Sequence, residues 1–385
     1  MISRFIRLLT RKPARSLVIL DDFFPNLLTG FRVAEYNAYL ERFPHLRILS
    51  SYPDFAAAHQ DYAAHYPHHA QRVMPLTHDR LEHCGLVYLN FLNNAHSYLP
   101  LLEARQLPFI LTLYPGGGFG LNEADSDHKL DRVMQSPLLR HVICTQKVTE
   151  DYLQRRYGNR VPRSMIFGVV VNPLYFSLPE NERPYFRLGK ATLDICFVAE
   201  KYMPQGANKG YPEFIETIRK LVTNRSALPF RFHVVGSCTA SDWNTDGLED
   251  CLQFHGRLNT PDLLRFYRQM DVVISPNKPF LLHKGNFDGF PTGCCVEASL
   301  CGVCMVATDM LDLNPAYVDN RDMIIIDPDP ESVASRVLAL IDTGKLATVA
   351  CAGQQLTRSL FSPTIQLQSR MEIIRHYARQ SGVSL

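Results

Sequence analysis

The 385-residue chain is longer than one hydrophobic core usually serves, so two domains are expected, and at 46% hydrophobic and 20% charged residues it is too apolar for a disordered protein. A formal net charge of +2 excludes the global positive field of a nucleic-acid binder, so any anion site has to be local. Ten cysteines, several in apolar runs such as Val142-Ile143-Cys144 and Ile195-Cys196-Phe197, read as small core hydrophobes of a reducing compartment and place the chain in the cytoplasm.

The N-terminal stretch MISRFIRLLTRKPARS carries Arg4, Arg7, Arg11, Lys12 and Arg15 and no acid, and on a helical wheel Ile2, Phe5, Ile6 and Leu9 share the side opposite Arg4, Arg7, Arg11 and Arg15. Residues 1–15 suit either the interface of an anionic membrane, as a peripheral contact with its inner leaflet, or a plain basic leader before the first strand. They lack the long apolar core and the cleavage site of a secretory signal, and no window of the chain nears the roughly 20 apolar residues of a membrane-spanning helix.

Ser16–Leu20 (SLVIL) then reads as a strand, Asp21-Asp22 through Gly30 as a loop, and GFRVAEYNAYLERF as a helix. The order recurs at 46–51 (LRILSS), 85–92 (GLVYLNFL), 108–120 (PFILTLYPGGGFG) and 140–146 (RHVICTQ), which implies a parallel sheet covered on both faces. His65, His68 and His69 fall in a loop-like HYPHHA stretch, read as solvated rather than metal-binding. The polar segment 176–193, with two prolines, is the expected linker. A second alternation follows, with strands at 194–200, 230–237, 271–276, 303–309 and 322–328. The domains expected are 1–180 and 190–360, both Rossmann-like β/α/β and facing each other across a cleft, with a C-terminal helix in 361–385 packing back on the first.

The segment 288–302, DGFPTGCCVEASLCG, sets a glutamate among Cys, Val, Ala, Ser and Leu. A carboxylate in such company is costly unless something hydrogen-bonds it. Pro291 suits a first turn, Thr292 can cap and Gly302 can end a helix in the left-handed conformation, so a helix is expected over about 292–301. Its free amides, next to Gly289 and Gly293, form an anion site. Glu297 lies four residues after Gly293 on the same face, one turn below, where it can take the two hydroxyls of a ribose. Asp288 stands before the turn, within reach of a sugar beyond the phosphates. Cys301-x-x-Cys304, near Cys294 and Cys295, is read as core packing rather than zinc, because no second paired motif lies at zinc spacing. Asp329-Pro330-Glu331 reads as a helix cap and first turn rather than a metal-binding acid pair.

The run FHGRLNTPDLLRFYRQMDVVISP, followed by DGFPTGCCVEASLCGVCMVATD and DPDPESVASRVLALI, resembles the C-terminal domain of the GT-B glycosyltransferases of family 4, and FVAEKYMPQGANKGYPEFIETIRKL resembles the segment in which that family sets a basic residue and then Lys-Gly. The resemblance covers about residues 190–345. It implies a GT-B fold and retaining transfer of a sugar from a nucleoside diphosphate to an acceptor hydroxyl, in building a cell-surface polysaccharide or other glycan. Lys209 and Lys201 would hold the diphosphate, Glu297 the ribose, and Asp288 would stand near the donor sugar, with Asp288 and Lys209 as the catalytic pair. Gly289, Phe290, Pro291, Thr292 and Gly293 would form the donor loop. Two departures stand out: the first acid is Asp rather than Glu, and it lies nine residues from Glu297 where the family has eight. The family's N-domain histidine has no counterpart at Leu113–Gly118; Asp127 and His128 lie a little downstream.

If the resemblance holds, charge growing on the leaving diphosphate is stabilised by Lys209, Lys201 and the helix start, with no metal or other cofactor. The first domain would supply the glycan or lipid-linked acceptor, with Gly30, Gly116, Gly117 and Gly118 at strand ends where backbone can approach a ligand. Two alternatives share the sequence: a nucleotide-sugar epimerase of GT-B fold, which would turn over without acceptor, and a non-catalytic subunit that binds a sugar nucleotide or glycan.

Overall fold

The computed structural model describes residues 15–178 and 183–385, so the expectation for the basic N-terminal stretch lies, except for Arg15, outside the described residues. The chain divides into two compact units: one holds the chain up to Phe119, Ala124–Val170 and Thr364–Leu385, the other Gly120–Glu123 and Val171–Pro363.

The first unit is built on seven strands, β1 (Ser16–Asp21), β2 (Arg47–Ser50), β3 (Val73–Pro75), β4 (Cys84–Asn90), β5 (Phe109–Leu113), β6 (Leu139–Cys144) and β7 (Arg163–Met165). They form one sheet in the order β3-β2-β1-β4-β5-β6-β7, and neighbouring strands pair in parallel, Leu17 opposite Leu86 for example. Parallel strands need crossovers that cover both faces, which is why β4 and β5 are apolar almost throughout and wholly buried. Leu17, Ile19, Leu86, Tyr88, Ile110 and Ile143 form the core, joined by Met371, Ile374 and Ala378 of the C-terminal helix Ser369–Gln380. Each fully buried aliphatic or aromatic side chain there contributes about 2 kcal/mol. β3 and β7 escaped the sequence reading because Val-Met-Pro and Arg-Ser-Met are three residues long with no apolar run. The histidine stretch read as a loop lies instead in the helices Phe55–His65 and Pro67–Ala70.

The second unit has a six-stranded parallel sheet, preceded by a two-stranded ribbon, β8 (Tyr185–Phe186) and β9 (Gly189–Lys190). The sheet strands are β10 (Leu193–Ala199), β11 (Phe230–Gly236), β12 (Leu252–Gly256), β13 (Val272–Ser275), β14 (Cys304–Thr308) and β15 (Ile324–Ile326), in the order β12-β11-β10-β13-β14-β15. The segment expected to link domains belongs to this unit: Tyr185 donates to Gly302 O at 2.9 Å, Arg183 to Tyr267 O at 3.2 Å and Cys301 O at 3.1 Å, and the Phe186 N–H to Asp271 Oδ1 at 3.0 Å. Arg183 thus spends its guanidinium on backbone carbonyls of this unit. β12 was missed because it is an edge strand with only Leu252 buried. Among the described residues no helix is long and apolar enough to cross a membrane.

Candidate active site

In a doubly wound sheet the strand order reverses at one point, and the carboxyl ends of the strands there leave a crevice. In the second unit the reversal lies between β10 and β13. Lys201 follows β10, Asn277 follows β13, Asp309 follows β14, and the helix Gly293–Leu300 starts beside them. A pocket at this end is lined by Asn277, Asp288, Phe290, Thr292, Thr308 and Asp309 among others.

Lys209 ends the short helix Pro204–Lys209, and Gly210 follows in the left-handed conformation at φ 76°. A Cβ at Gly210 would stand 2.1 Å from the carbonyl oxygen of Pro276, so only glycine lets the two loops meet. The Lys278 N–H donates to Asn208 O at 2.9 Å and closes the contact. Lys209 is thereby set against the loop after β13, with Nζ 2.7 Å from Asp288 Oδ1 and 5.3 Å from the centroid of the Tyr202 ring. Burial disfavours its ammonium, yet Asp288 outweighs that and holds Lys209 above the ordinary lysine value. The other Asp288 oxygen accepts from Asn277 Nδ2 at 2.6 Å.

The 288–302 segment folds as a turn and a helix, with Thr292 extended at the N-cap and Gly302 left-handed at φ 79°. Thr292 does not cap, contrary to expectation: its hydroxyl lies 3.3 Å from Ser275 Oγ and 3.1 Å from Cys294 Sγ. The helix start is open, because a Cβ at the exposed Gly293 would meet nothing within 4 Å. Phe290 and Pro291 are buried and hold the turn, while Gly289 is half-buried. The first-turn amides, which have no intrahelical acceptor, therefore face an accessible position.

Glu297, one turn further on, is half-buried rather than in bulk water. Burial, and next the neighbouring Cys294, push its carboxyl up to about 8, with the nearby Tyr175 hydroxyl pulling the other way. Asp309 is raised as well, by burial, although it accepts the N–H groups of Leu313 at 2.7 Å and Asn314 at 3.1 Å. Lys201 pairs with Asp242 at 2.7 Å, and its backbone N–H donates to Ser237 Oγ at 2.7 Å. Lys209 and Asp288 are thus in direct contact, whereas Lys201 is engaged with a carboxylate of its own. Asn277, Thr308 and Asp309 were not found from sequence; polar residues at or just beyond the strand ends of an alternating pattern were the available signal.

In the first unit, Gly30 opens the helix Gly30–Arg42, and Gly116, Gly117 and Gly118 follow β5 with φ of 71°, 53° and 89°. Gly117 and Gly118 make close approaches to protein: a Cβ there would lie 2.3 Å from the Phe91 ring and 2.0 Å from Asn93 Oδ1. At Gly116 the space is open. Asp127 accepts from Tyr152 Oη at 2.5 Å and pairs with Arg156 at 3.0 Å, which makes it part of a surface ion network. All ten cysteines are free, and among the described residues no group of three or more His, Cys, Asp or Glu side chains is placed to hold a metal ion. Asp329 caps its helix through the Ser332 N–H at 2.8 Å, as read from sequence.

Residues 193–343 match a family model described as "Glycosyl transferases group 1". Among curated proteins, none matches the sequence. Solved structures match over nearly the whole chain. HepE of Anabaena, determined in complex with UDP, has a TM-score of 0.68 at 16% identity over 94% of this chain and 100% of that one. The sucrose-phosphate synthase of Thermosynechococcus elongatus has a TM-score of 0.60 at 14% identity over 95% and 100%. The α,α-trehalose 6-phosphate synthase of Burkholderia multivorans has 0.61 at 11% identity over 96% and 98%. Two parallel sheets with flanking helices, and these likenesses, give the fold. The group 1 glycosyl transferase model thus falls within the second unit, and the fold of the chain is that of the GT-B glycosyltransferases.

Proposed function

We propose that the chain transfers a sugar from a nucleoside-diphosphate donor to an acceptor hydroxyl, with retention at the anomeric carbon, in the manner of family 4. The observation that carries this reading is the uncapped helix start at Gly293, with the Lys209 ammonium close to the same turn through Asp288 and the raised Glu297 one turn below. Anion, cation and a carboxyl that gains from hydroxyl partners suit a diphosphate joined to a pentose. HepE has been solved with UDP-glucose as well as with UDP, which supports a nucleotide sugar as donor.

In this reading the first-turn amides and Lys209 stabilise charge growing on the leaving diphosphate, Lys201 assists after releasing Asp242, and Glu297 takes the ribose hydroxyls. With its carboxyl raised to about 8, a protonated Glu297 can donate one hydrogen bond to a ribose oxygen and accept another. No metal or other cofactor is needed for these steps. The acceptor is a glycan or lipid-linked hydroxyl, and the product part of a surface polysaccharide or related glycan. The basic stretch 1–15 would dock on anionic lipid, so its removal should shift the protein from the membrane to the soluble fraction.

Incubation with UDP-, GDP- and dTDP-sugars plus glycan acceptors, followed by chromatography and NMR of the product, is expected to show transfer from one donor class with the anomeric configuration kept. Absence of transfer, of hydrolysis and of nucleotide binding with every donor would overturn the reading.

A further inference from the structure

Asp288 lies in a loop without regular structure, and its side chain is 32% exposed, so nothing in its own backbone fixes where its carboxylate points. What fixes it is Asn277. The Asn277 carbonyl accepts from Thr308 Oγ1 at 2.6 Å, its Oδ1 accepts from Ser275 Oγ at 2.7 Å, and its Nδ2 donates to Asp288 Oδ2 at 2.6 Å. Ser275 and Thr308 are the last residues of β13 and β14, which pair directly, so the sheet itself sets the asparagine. The carboxylate settles which end of the amide faces it: an ionised Asp288 only accepts, so the nitrogen must face it and the oxygen is left to the Ser275 hydroxyl.

We propose that Asn277 is a positioning residue of the donor site: it aims Asp288, and Asp288 in turn aims the Lys209 ammonium at the diphosphate on the 293–300 helix start. The inference rests on the reading that this site binds a nucleoside diphosphate. It assigns Asp288 a different part from the one its place in the family pattern implies. One of its oxygens is on Lys209 and the other on Asn277, so it serves the lysine rather than the donor sugar. An ammonium has three donors; with one given to Asp288, two remain for phosphate oxygens, in directions that Asp288 sets. The one-residue longer spacing to Glu297 and the shorter Asp side chain fit that part.

Other charged and titratable groups face this relay. Lys278, next in the chain, is paired with Glu213; Asp309 lies in the same pocket; Tyr202 and Cys294 lie near Lys209. The test therefore compares each variant with wild type at the same pH. Asn277→Ala is expected to bind UDP, GDP or dTDP, whichever the wild type prefers, about tenfold or more weakly by calorimetry. Its Lys209, freed from a fixed partner, should be reductively methylated faster, as read by mass spectrometry.

Asn277→Asp keeps the shape and puts a carboxylate oxygen where the amide nitrogen stood. At pH 5 a shared proton can replace the N–H, and affinity should approach that of wild type; by pH 8 two facing carboxylates should weaken it by tenfold or more. A merely structural asparagine would show no such pH-dependent rescue. Binding of Asn277→Ala within twofold of wild type, or an Asn277→Asp to wild-type ratio that stays flat from pH 5 to 8, would overturn the inference. Should Asn277→Ala fail to fold, the isosteric Asn277→Asp carries the test alone. Wild type that binds none of the three diphosphates would sink the donor-site reading itself, a result distinct from a variant that behaves as wild type.

Discussion

The two units share a topology and treat their strand ends in opposite ways. In the first, the order reverses between β1 and β4, and Asp21 at the end of β1 is fully buried and saturated: it accepts the N–H groups of Phe23 and Phe24, Arg32 at 2.6 Å and the Tyr36 hydroxyl at 2.8 Å. Glu35, also fully buried, accepts from Tyr39, Tyr88, Tyr114 and Asn90, with Arg370 of the C-terminal helix 4.0 Å away. In the second, the equivalent region is half-open: Asp288 is held by Lys209 and Asn277, the first-turn amides from Gly293 on have no side-chain cap, and Glu297 sits raised to about 8. A polar group whose every bond is met by protein holds a fold together; one left short is poised for a ligand.

That contrast is broken most sharply by charge removal on each side. Lys209→Met is expected to lower kcat/KM by about 10³-fold, a loss of about 4 kcal/mol of transition-state stabilisation, with little change in Tm, as steady-state kinetics and thermal melts would show. Arg370→Met should do the reverse. It leaves Glu35 without its nearby guanidinium and costs about 3 kcal/mol of stability in the first unit, read by denaturant unfolding, while nucleotide binding by the second unit is unchanged.

Glu297→Gln sharpens the comparison through pH. The folded value of about 8 exceeds the ordinary glutamate value of 4.5, so between these the folded state holds more protons than the unfolded one and stability falls as pH rises. The cost is absent below pH 4.5 and complete above about 8. The glutamine variant should thus melt a few degrees higher than wild type at pH 8.5, equal to it at pH 4.5, and bind the nucleotide more weakly; a pH-independent difference in Tm would contradict the assignment. Smallest of all, Lys201→Ala removes a half-exposed pair and should alter stability by less than about 1 kcal/mol, with the donor KM rising several-fold if Lys201 reaches the diphosphate.

Much of this was legible in the sequence. The strand reading found SLVIL and DICFVAE because apolar β-branched runs bounded by turns are the local mark of a buried parallel strand. The helix after Thr292 and its end at Gly302 were read from backbone requirements alone. Lys209 was singled out through the family resemblance, and Glu297 first through its place among apolar residues. Asn277 was not, because an asparagine after a strand looks like any turn residue until Ser275, Thr308 and Asp288 are brought around it. Asp21, Glu35 and Arg370 were likewise silent: a carboxylate's partners come from residues as far as 335 positions along the chain (370 − 35), and nothing local marks them.

The sequence by itself determined the alternation of strands and helices and the end of the helix at Gly302, because these follow from φ/ψ preference and periodicity within a few residues. Only the tertiary structure decided which carboxylates are saturated and which are left short, that Asp288 faces Lys209, and that residues 183–193 of the expected linker are bonded into the second unit. Those outcomes depend on which distant donors reach each oxygen, and that is a property of packing rather than of neighbourhood in the chain.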